Sequence, residues 1–135
     1  MQAVILAAGL GTRMRPLTNT VAKPLVKIAG RPLLEYTFDT LPDGVDEVVV
    51  VIGYLGEQIK AYLGENFRGR RIKYVVQERL DGTAKALWEA KPLLNGKFVV
   101  LMADDIYAKV DIENCLRYEQ AMLVMKSERA GPGGN

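Results

Sequence analysis

Short apolar runs alternate with segments of helical spacing along this chain, and that alternation limits the folds available to it. Apolar residues typical of buried strands occupy residues 3–7, 45–52 and 97–103, and residues 72–76 alternate as in a shorter strand. Between them, apolar residues recur at helical spacing over residues 33–41, 55–63 and 84–91. Strands that alternate with helices predict an α/β, Rossmann-like fold, with a mostly parallel sheet and helices on both faces.

The last third of the chain predicts one more helix and one more strand. Asp111 is suited to cap a helix over residues 111–119, and residues 121–125 are apolar enough for a strand. The end, residues 128–135, is polar and glycine-rich, which is typical of a flexible tail. We therefore expect one α/β domain over residues 1–127 and a flexible polar tail over residues 128–135.

Composition excludes several classes of function. A net charge of +2 argues against a general nucleic-acid or membrane surface, and no apolar stretch is long enough to span a bilayer. The chain has no histidine and a single cysteine, Cys115, so a Cys/His zinc site and a histidine general base are excluded. The absence of a cysteine pair is typical of a reducing compartment, and we expect a cytoplasmic protein.

The segment after the first predicted strand combines glycines with cations. Residues 6–18 read Leu-Ala-Ala-Gly-Leu-Gly-Thr-Arg-Met-Arg-Pro-Leu-Thr, and the first acidic residue of the chain is Glu35. Glycines let backbone N–H groups approach an anion closely, and successive N–H groups form a concavity of positive partial charge. Full positive charges are added by Arg13, Arg15 and Lys23. We interpret this segment as a polyphosphate site.

Two other glycine-rich patterns fit this segment poorly. The dinucleotide pattern G-x-G-x-x-G would need a third glycine where the chain has Met14, and Pro16 indicates a loop where a helix should begin. The P-loop pattern is also missing. A dinucleotide-dependent oxidoreductase stays as an alternative, which NAD(H) binding would support. The non-functional alternative is a simple tight turn with solvated arginines.

Further polar segments follow the third and fourth predicted strands. They are residues 77–83, which begin with Gln77, and the pair Asp104-Asp105. Ligands of parallel sheets bind beyond the carboxyl ends of the strands, so these segments are expected to meet the glycine segment. Mg²⁺ is usually held by one or two carboxylates together with phosphate oxygens, which suits this acidic pair. Capping of the next turn is the alternative for the pair.

The glycine segment, with Lys-Pro-Leu-Val at 23–26 and Gly-Arg-Pro-Leu at 30–33, resembles the signature of the sugar nucleotidyltransferases. These enzymes join a nucleoside triphosphate to a sugar 1-phosphate. The match is dense over residues 6–34 and continues sparsely to Asp104. The resemblance implies the fold of the nucleotide-diphospho-sugar transferases and covers the amino-terminal half of their catalytic domain, so the domain is expected to be truncated relative to the family.

The resemblance also implies roles for individual residues. Arg13 would bind the outgoing β,γ-phosphates, Lys23 would contact the α-phosphate, and Asp104 would bind Mg²⁺, the expected cofactor. Nucleotide binding would involve Ala8, Gly9, Gly11, Thr12, Arg15, Gln77, Gly82 and Thr83. Gln77 would read the base, because a carboxamide both donates and accepts hydrogen bonds. Lys85 and Ala103 stand where the family usually has glycine.

The expected function is therefore Mg²⁺-dependent nucleotidyl transfer from a nucleoside triphosphate to a sugar 1-phosphate. The expected partners are those two substrates, with no nucleic acid and no membrane, and the resemblance is compatible with a homo-oligomer. Two alternatives stay open. One is a non-catalytic or truncated nucleotide-binding module, and the other is a nucleotidyltransferase that uses another phosphorylated acceptor, such as phosphocholine.

Overall fold

A computed structural model describes residues 1–79 and 81–124 and contains strands, helices and short 3-10 turns. The strands are β1 (Gln2–Ala7), β2 (Lys27–Ile28), β3 (Arg31–Pro32), β4 (Glu47–Ile52), β5 (Asn66–Phe67), β6 (Arg70–Val76) and β7 (Phe98–Met102). The helices are α1 (Leu33–Asp39), α2 (Gly56–Leu63), α3 (Thr83–Ala90) and α4 (Lys109–Cys115). None of the described helices is long and apolar enough to cross a membrane.

The main sheet has the order β5-β6-β4-β1-β7. Four of its strands are parallel, and only the short β5 runs antiparallel, against β6. Both central strands, β1 and β4, are buried over their whole length, as expected for a parallel sheet covered on two faces. A separate hairpin of β2 and β3 lies between the first strand and α1. The prediction of a mostly parallel α/β sheet is confirmed.

Side chains that alternate along β1 separate the core into two layers. Ala3, Ile5 and Ala7 belong to the cluster that contains the apolar residues of α1, α2 and α4. Val4 and Leu6 belong to a second cluster with Ala86 and Ala90 of α3. Because successive strand residues point to opposite faces, the helices cover both sides of the sheet.

Two local predictions near the end of the described chain are wrong. The last helix begins at Lys109 with Ala108 as its N-cap, so Asp111 lies in the first turn, where its charge favours the helix dipole. This helix ends at Cys115 and does not reach residue 119. Residues 121–124 are exposed and form no strand, because no described sheet edge takes up their backbone groups. Residue 125 and the predicted tail, 128–135, lie outside the described residues.

Glu47, at the start of β4, is a buried carboxylate with three partners. Gln2 Nε2 donates a hydrogen bond to its Oε1 at 2.7 Å, while Lys73 Nζ and Arg71 Nη2 lie 3.3 and 3.5 Å from its Oε2. Burial on its own would raise the pKa of Glu47, but the hydrogen bonds from Gln2 and Lys73 and the two positive charges outweigh it. The pKa of Glu47 is therefore lowered from its usual 4.5.

We expect Glu47→Gln to weaken the fold near neutral pH and to reduce its acid sensitivity. A carboxylate with a lowered folded-state pKa stabilises the protein fully above its unfolded-state pKa, and this contribution is lost as the pH falls through the folded-state pKa. The variant should lose about 1 kcal/mol of unfolding free energy at pH 7 and show a shallower decline below about pH 5. Urea unfolding across this range measures both quantities. Glu57→Gln is the exposed control, and an unchanged acid decline in Glu47→Gln would contradict the prediction.

Candidate active site

The order of the strands creates a crevice at one edge of the sheet. From β1 the chain proceeds outward through β4 to β6 and then returns to place β7 on the other side of β1. Such a reversal is where ligands bind in open α/β sheets. Two neighbouring cavities of about 350 and 100 Å³ open there and share Leu6, Gly9, Gly11 and Met102 in their walls.

The larger cavity lies beside the amino-terminal end of α3. Its walls include seven of the residues predicted to bind the nucleotide: Ala8, Gly9, Gly11, Thr12, Gln77, Gly82 and Thr83. Gln77 is buried, and its side-chain Nε2 donates to the Gly82 carbonyl oxygen at 3.3 Å. Its backbone N–H donates to the Ile52 carbonyl oxygen at 2.8 Å, which extends the sheet by one residue. The carboxamide is therefore held in place next to the cavity.

The smaller cavity contains the charged groups of the site. Lys23 and Asp104 both line it, and Lys23 Nζ lies 3.0 Å from Asp104 Oδ2. Both side chains remain partly accessible, with 25% of Lys23 and 39% of Asp104 exposed. The fold thus brings together a lysine and a carboxylate that are 81 positions apart in sequence.

The loop after β1 is shaped by close contacts at Gly11. Its φ is +66°, and a Cβ at this position would lie 2.7 Å from Thr18 Cγ2 and 3.0 Å from Lys23 Cβ. Buried Thr18 donates from Oγ1 to the Gly11 carbonyl oxygen at 2.6 Å, and the Met14 N–H donates to the same oxygen at 3.0 Å. The loop is thereby folded back on itself beside Lys23.

The two predicted arginines occupy a different position from the lysine. Arg13 lies in the exposed 3-10 turn Thr12–Met14, and Arg15 directly follows it. Neither lines the two cavities, and neither forms an ion pair with another residue in the described ranges. Their guanidinium groups lie on the loop that borders the crevice, so their contact with phosphate stays a prediction.

Gln58 of α2 supports the segment that leads to Lys23, and sequence reasoning missed it. Its Oε1 accepts a hydrogen bond from the Ala22 N–H, and its Nε2 donates to the Thr20 carbonyl oxygen, both at 2.7 Å. A polar residue on a helix face looks like ordinary solvated surface in a sequence. No local signal distinguishes it, because both partners belong to a loop more than 30 residues away.

Tyr107 supports the turn that presents Asp104, and it was also missed. Its hydroxyl accepts a hydrogen bond from the Met102 N–H at 2.9 Å and donates to Asp105 Oδ2 at 3.4 Å. Burial raises the pKa of Tyr107 above its usual 10; the Met102 N–H opposes this rise, and the charges of Asp105 and Asp104 add to it. The phenol therefore stays protonated and holds the end of β7 to the acidic turn.

We expect Tyr107→Phe to loosen this turn. Without the hydroxyl, the Met102 N–H loses its acceptor, which costs about 1–3 kcal/mol when a partly buried donor is left unpaired. Thermal unfolding measures this loss. Tyr118→Phe is the control, since Tyr118 is exposed. A Tyr107→Phe variant as stable as the unmodified protein would show that the hydroxyl does not hold the turn.

The acidic pair fits a metal that is shared with a ligand. In residues 1–79 and 81–124 no group of three or more His, Cys, Asp or Glu side chains is placed to hold a metal ion. Asp104 offers carboxylate oxygens at the smaller cavity, whereas Asp105 follows it in the exposed turn and lines neither cavity. Mg²⁺ is commonly bound by one or two carboxylates plus substrate phosphates and water, so these donors suit it when a phosphate completes the site.

The fold and the crevice define an α/β domain of the nucleotide-diphospho-sugar transferase type. The family model described as nucleotidyl transferase matches residues 2–124, and the chain belongs to this family. The resemblance to sugar nucleotidyltransferases is thus confirmed.

Individual relatives agree with this assignment. The chain is 37% identical over 126 residues to the bifunctional protein GlmU of Methanococcus maripaludis strain C5, covering 93% of this chain and 30% of that protein. It is 41% identical over 108 residues to the UTP–glucose-1-phosphate uridylyltransferase AglF of Haloferax volcanii, covering 79% of this chain and 44% of that protein.

A solved structure shows the same fold. The UDP-glucose pyrophosphorylase of Acinetobacter baumanii superimposes with a TM-score of 0.75 at 21% identity, covering 86% of this chain and 52% of that chain. The present chain therefore spans between about a third and half of the length of these relatives.

Proposed function

We propose that this protein transfers a nucleotidyl group from a nucleoside triphosphate to a sugar 1-phosphate, releasing pyrophosphate in a Mg²⁺-dependent reaction. The observation that carries the proposal is the Lys23–Asp104 pair beside the glycine loop, in the crevice where the strand order reverses. The name of the Haloferax volcanii relative, a glucose-1-phosphate uridylyltransferase, supports the acceptor class.

The two cavities would bind different parts of the nucleoside triphosphate. The nucleoside would lie in the larger cavity, where the carboxamide of Gln77 would contact its base and the backbone of Gly82 would allow close approach. The phosphates would extend along the glycine loop toward the smaller cavity and Lys23. The two cavities are neighbours that share wall residues, so the distance between them is short.

The chemistry requires charge neutralisation and alignment. A phosphate oxygen of the sugar 1-phosphate attacks the α-phosphorus, a new O–P bond forms, and the bond to the departing pyrophosphate breaks. The attacking oxygen is already anionic, so this step needs no general base and the absence of histidine from the sequence is no obstacle to it. Lys23 would neutralise the α-phosphate and Arg13 the departing phosphates, which is how phosphoryl-type transfers are generally accelerated.

Asp104, with Asp105 next to it, would hold Mg²⁺. When bound, the ion supplies positive charge that offsets the repulsion between the two phosphorylated substrates. Tyr107, which bonds the Met102 N–H and Asp105 Oδ2, would hold the turn on which Asp104 lies. A cytoplasmic location, where nucleoside triphosphates are made, agrees with this assignment.

The test is pyrophosphate release with Mg²⁺ across a grid of nucleoside triphosphates and sugar 1-phosphates. We expect release with one preferred pairing, which would identify both substrates. Thermal unfolding with each triphosphate should be measured in parallel. The proposal would be overturned if every pairing gave no pyrophosphate release and every triphosphate gave no thermal stabilisation.

A second candidate function is suggested by the larger cavity, whose walls include seven of the residues predicted to bind the nucleotide. A nucleotide-binding module without catalysis would give thermal stabilisation by a triphosphate without pyrophosphate release. The same grid therefore separates the two functions.

A further inference from the structure

The Lys23–Asp104 ion pair joins two groups that the proposed function assigns to different ligands. Lys23 would contact phosphate, whereas Asp104 would hold a metal ion, yet the ammonium donates a hydrogen bond to Asp104 Oδ2 at 3.0 Å. We propose that Lys23 acts as an internal counter-ion that competes with metal for Asp104, so that a triphosphate and the metal bind cooperatively. This inference rests on the proposed function and concerns how its two ligands are coupled.

Competition follows from the distance between the two charged groups. An ammonium 3.0 Å from Asp104 Oδ2 already neutralises part of the carboxylate charge that would attract a metal ion. If both cations contacted Asp104, they would lie within a few ångströms of each other. Their repulsion would be only partly screened, since 25% of Lys23 and 39% of Asp104 is exposed.

The backbone around Lys23 is held, whereas its side chain can change partner. Lys23 begins the 3-10 turn Lys23–Leu25, the next residue, Pro24, is buried, and Gln58 fixes the preceding Ala22 N–H. The four-carbon stem of lysine leaves the ammonium free to reorient over several ångströms. Both charged side chains line the same cavity of about 100 Å³, so a phosphate that enters there meets Lys23 directly.

Cooperativity is the consequence. A triphosphate that attracts Lys23 leaves Asp104 available to metal, and metal on Asp104 leaves Lys23 available to phosphate. The coupling must be equal in both directions because binding free energies are linked. The pair would therefore disfavour metal binding without nucleotide.

The first test measures Mn²⁺ binding without nucleotide by electron paramagnetic resonance. Lys23→Met should bind Mn²⁺ about three- to tenfold more tightly than the unmodified protein, as expected for loss of a partly exposed ion pair. Lys23→Arg keeps the charge and should behave like the unmodified protein. Lys109→Met is the matched control, because Lys109 Nζ lies at the same 3.0 Å from Asp43 Oδ1 outside the site.

Several outcomes would overturn the inference. Equal Mn²⁺ affinity in Lys23→Met and the unmodified protein would show that the pair does not compete with metal. An equal gain in Lys109→Met would show an effect of net charge alone. Undiminished Mn²⁺ binding in Asp104→Asn would show that the metal binds elsewhere.

The second test titrates inorganic tripolyphosphate in the presence of EDTA, so that no base needs to be known. Asp104→Asn should bind tripolyphosphate several-fold more tightly than the unmodified protein, and this gain should shrink in the Lys23→Met/Asp104→Asn double variant. No gain in Asp104→Asn would overturn the inference, and the comparison of Asp104→Asn with the unmodified protein stands even if Lys23→Met does not fold. Failure of the proposed function would be distinguishable, because pyrophosphate release would be absent while Lys23→Met still bound Mn²⁺ more tightly than the unmodified protein.

Discussion

Arg13→Ala and Lys23→Ala are each expected to slow pyrophosphate release by about 10²–10³-fold while leaving the fold intact. Both side chains would neutralise charge that moves onto the phosphates as the bond to pyrophosphate breaks. Lys23 lines the cavity next to Asp104, and Arg13 lies on the exposed loop that borders the crevice. Neither side chain belongs to the apolar clusters of the core, so loss of activity should not reflect unfolding.

The comparison needs rates, affinities and folding together. Initial rates should be measured with the preferred substrate pair, with circular dichroism as the check of folding. Lys27→Ala is a suitable control because Lys27 is exposed on β2 and lies outside both cavities. Rates like those of the unmodified protein in both site variants would contradict the assignment of this crevice to nucleotidyl transfer.

The sheet, and the edge at which the candidate site residues meet, could be predicted from the sequence. β1 and β4 are buried on both faces, so their apolar runs are continuous and need no partner information. Because parallel strands end at one edge, segments that follow different strands must meet there, which brings Lys23 and Asp104 within 3.0 Å. This inference required no knowledge of side-chain contacts.

The supports of the site could not be predicted in this way. Gln58 and Tyr107 act through hydrogen bonds to backbone groups. Because residues of nearly every type have these groups, the sequence pattern does not identify the partners. The β2–β3 hairpin has two residues in each strand, too few to show an alternating pattern. Residues 121–124 have the composition of a strand, but a strand also needs a sheet edge, which composition does not reveal.

Three glycine-to-alanine variants should separate the folding of the loop from its binding function. Gly11→Ala is expected to lower the free energy of unfolding by about 2–4 kcal/mol, because it combines two costs. The φ of +66° disfavours an L side chain, and the new Cβ would lie 2.7 Å from Thr18 Cγ2 and 3.0 Å from Lys23 Cβ. Triphosphate binding should weaken as well, since the loop carries both the cavity wall and the neighbour of Lys23.

The other two variants isolate each contribution. Gly30→Ala has a φ of +79° but no atom within 4 Å of the new Cβ, so it should cost only about 1–2 kcal/mol. Gly9→Ala also meets nothing within 4 Å, and its backbone does not require a positive φ, so its stability should stay unchanged. Its Cβ would nevertheless stand at the wall shared by the two cavities, where phosphate is expected to contact the backbone.

Urea unfolding and tripolyphosphate titration of the three variants measure the two effects independently. We expect Gly11→Ala to lose stability and binding, Gly30→Ala to lose some stability only, and Gly9→Ala to lose binding only. Equal unfolding free energies for Gly11→Ala and Gly30→Ala would show that the contact with Thr18 relaxes at no cost. Unchanged tripolyphosphate binding in Gly9→Ala would indicate that the phosphates do not contact the glycine loop at Gly9, because a methyl group at such a backbone contact should lower the affinity.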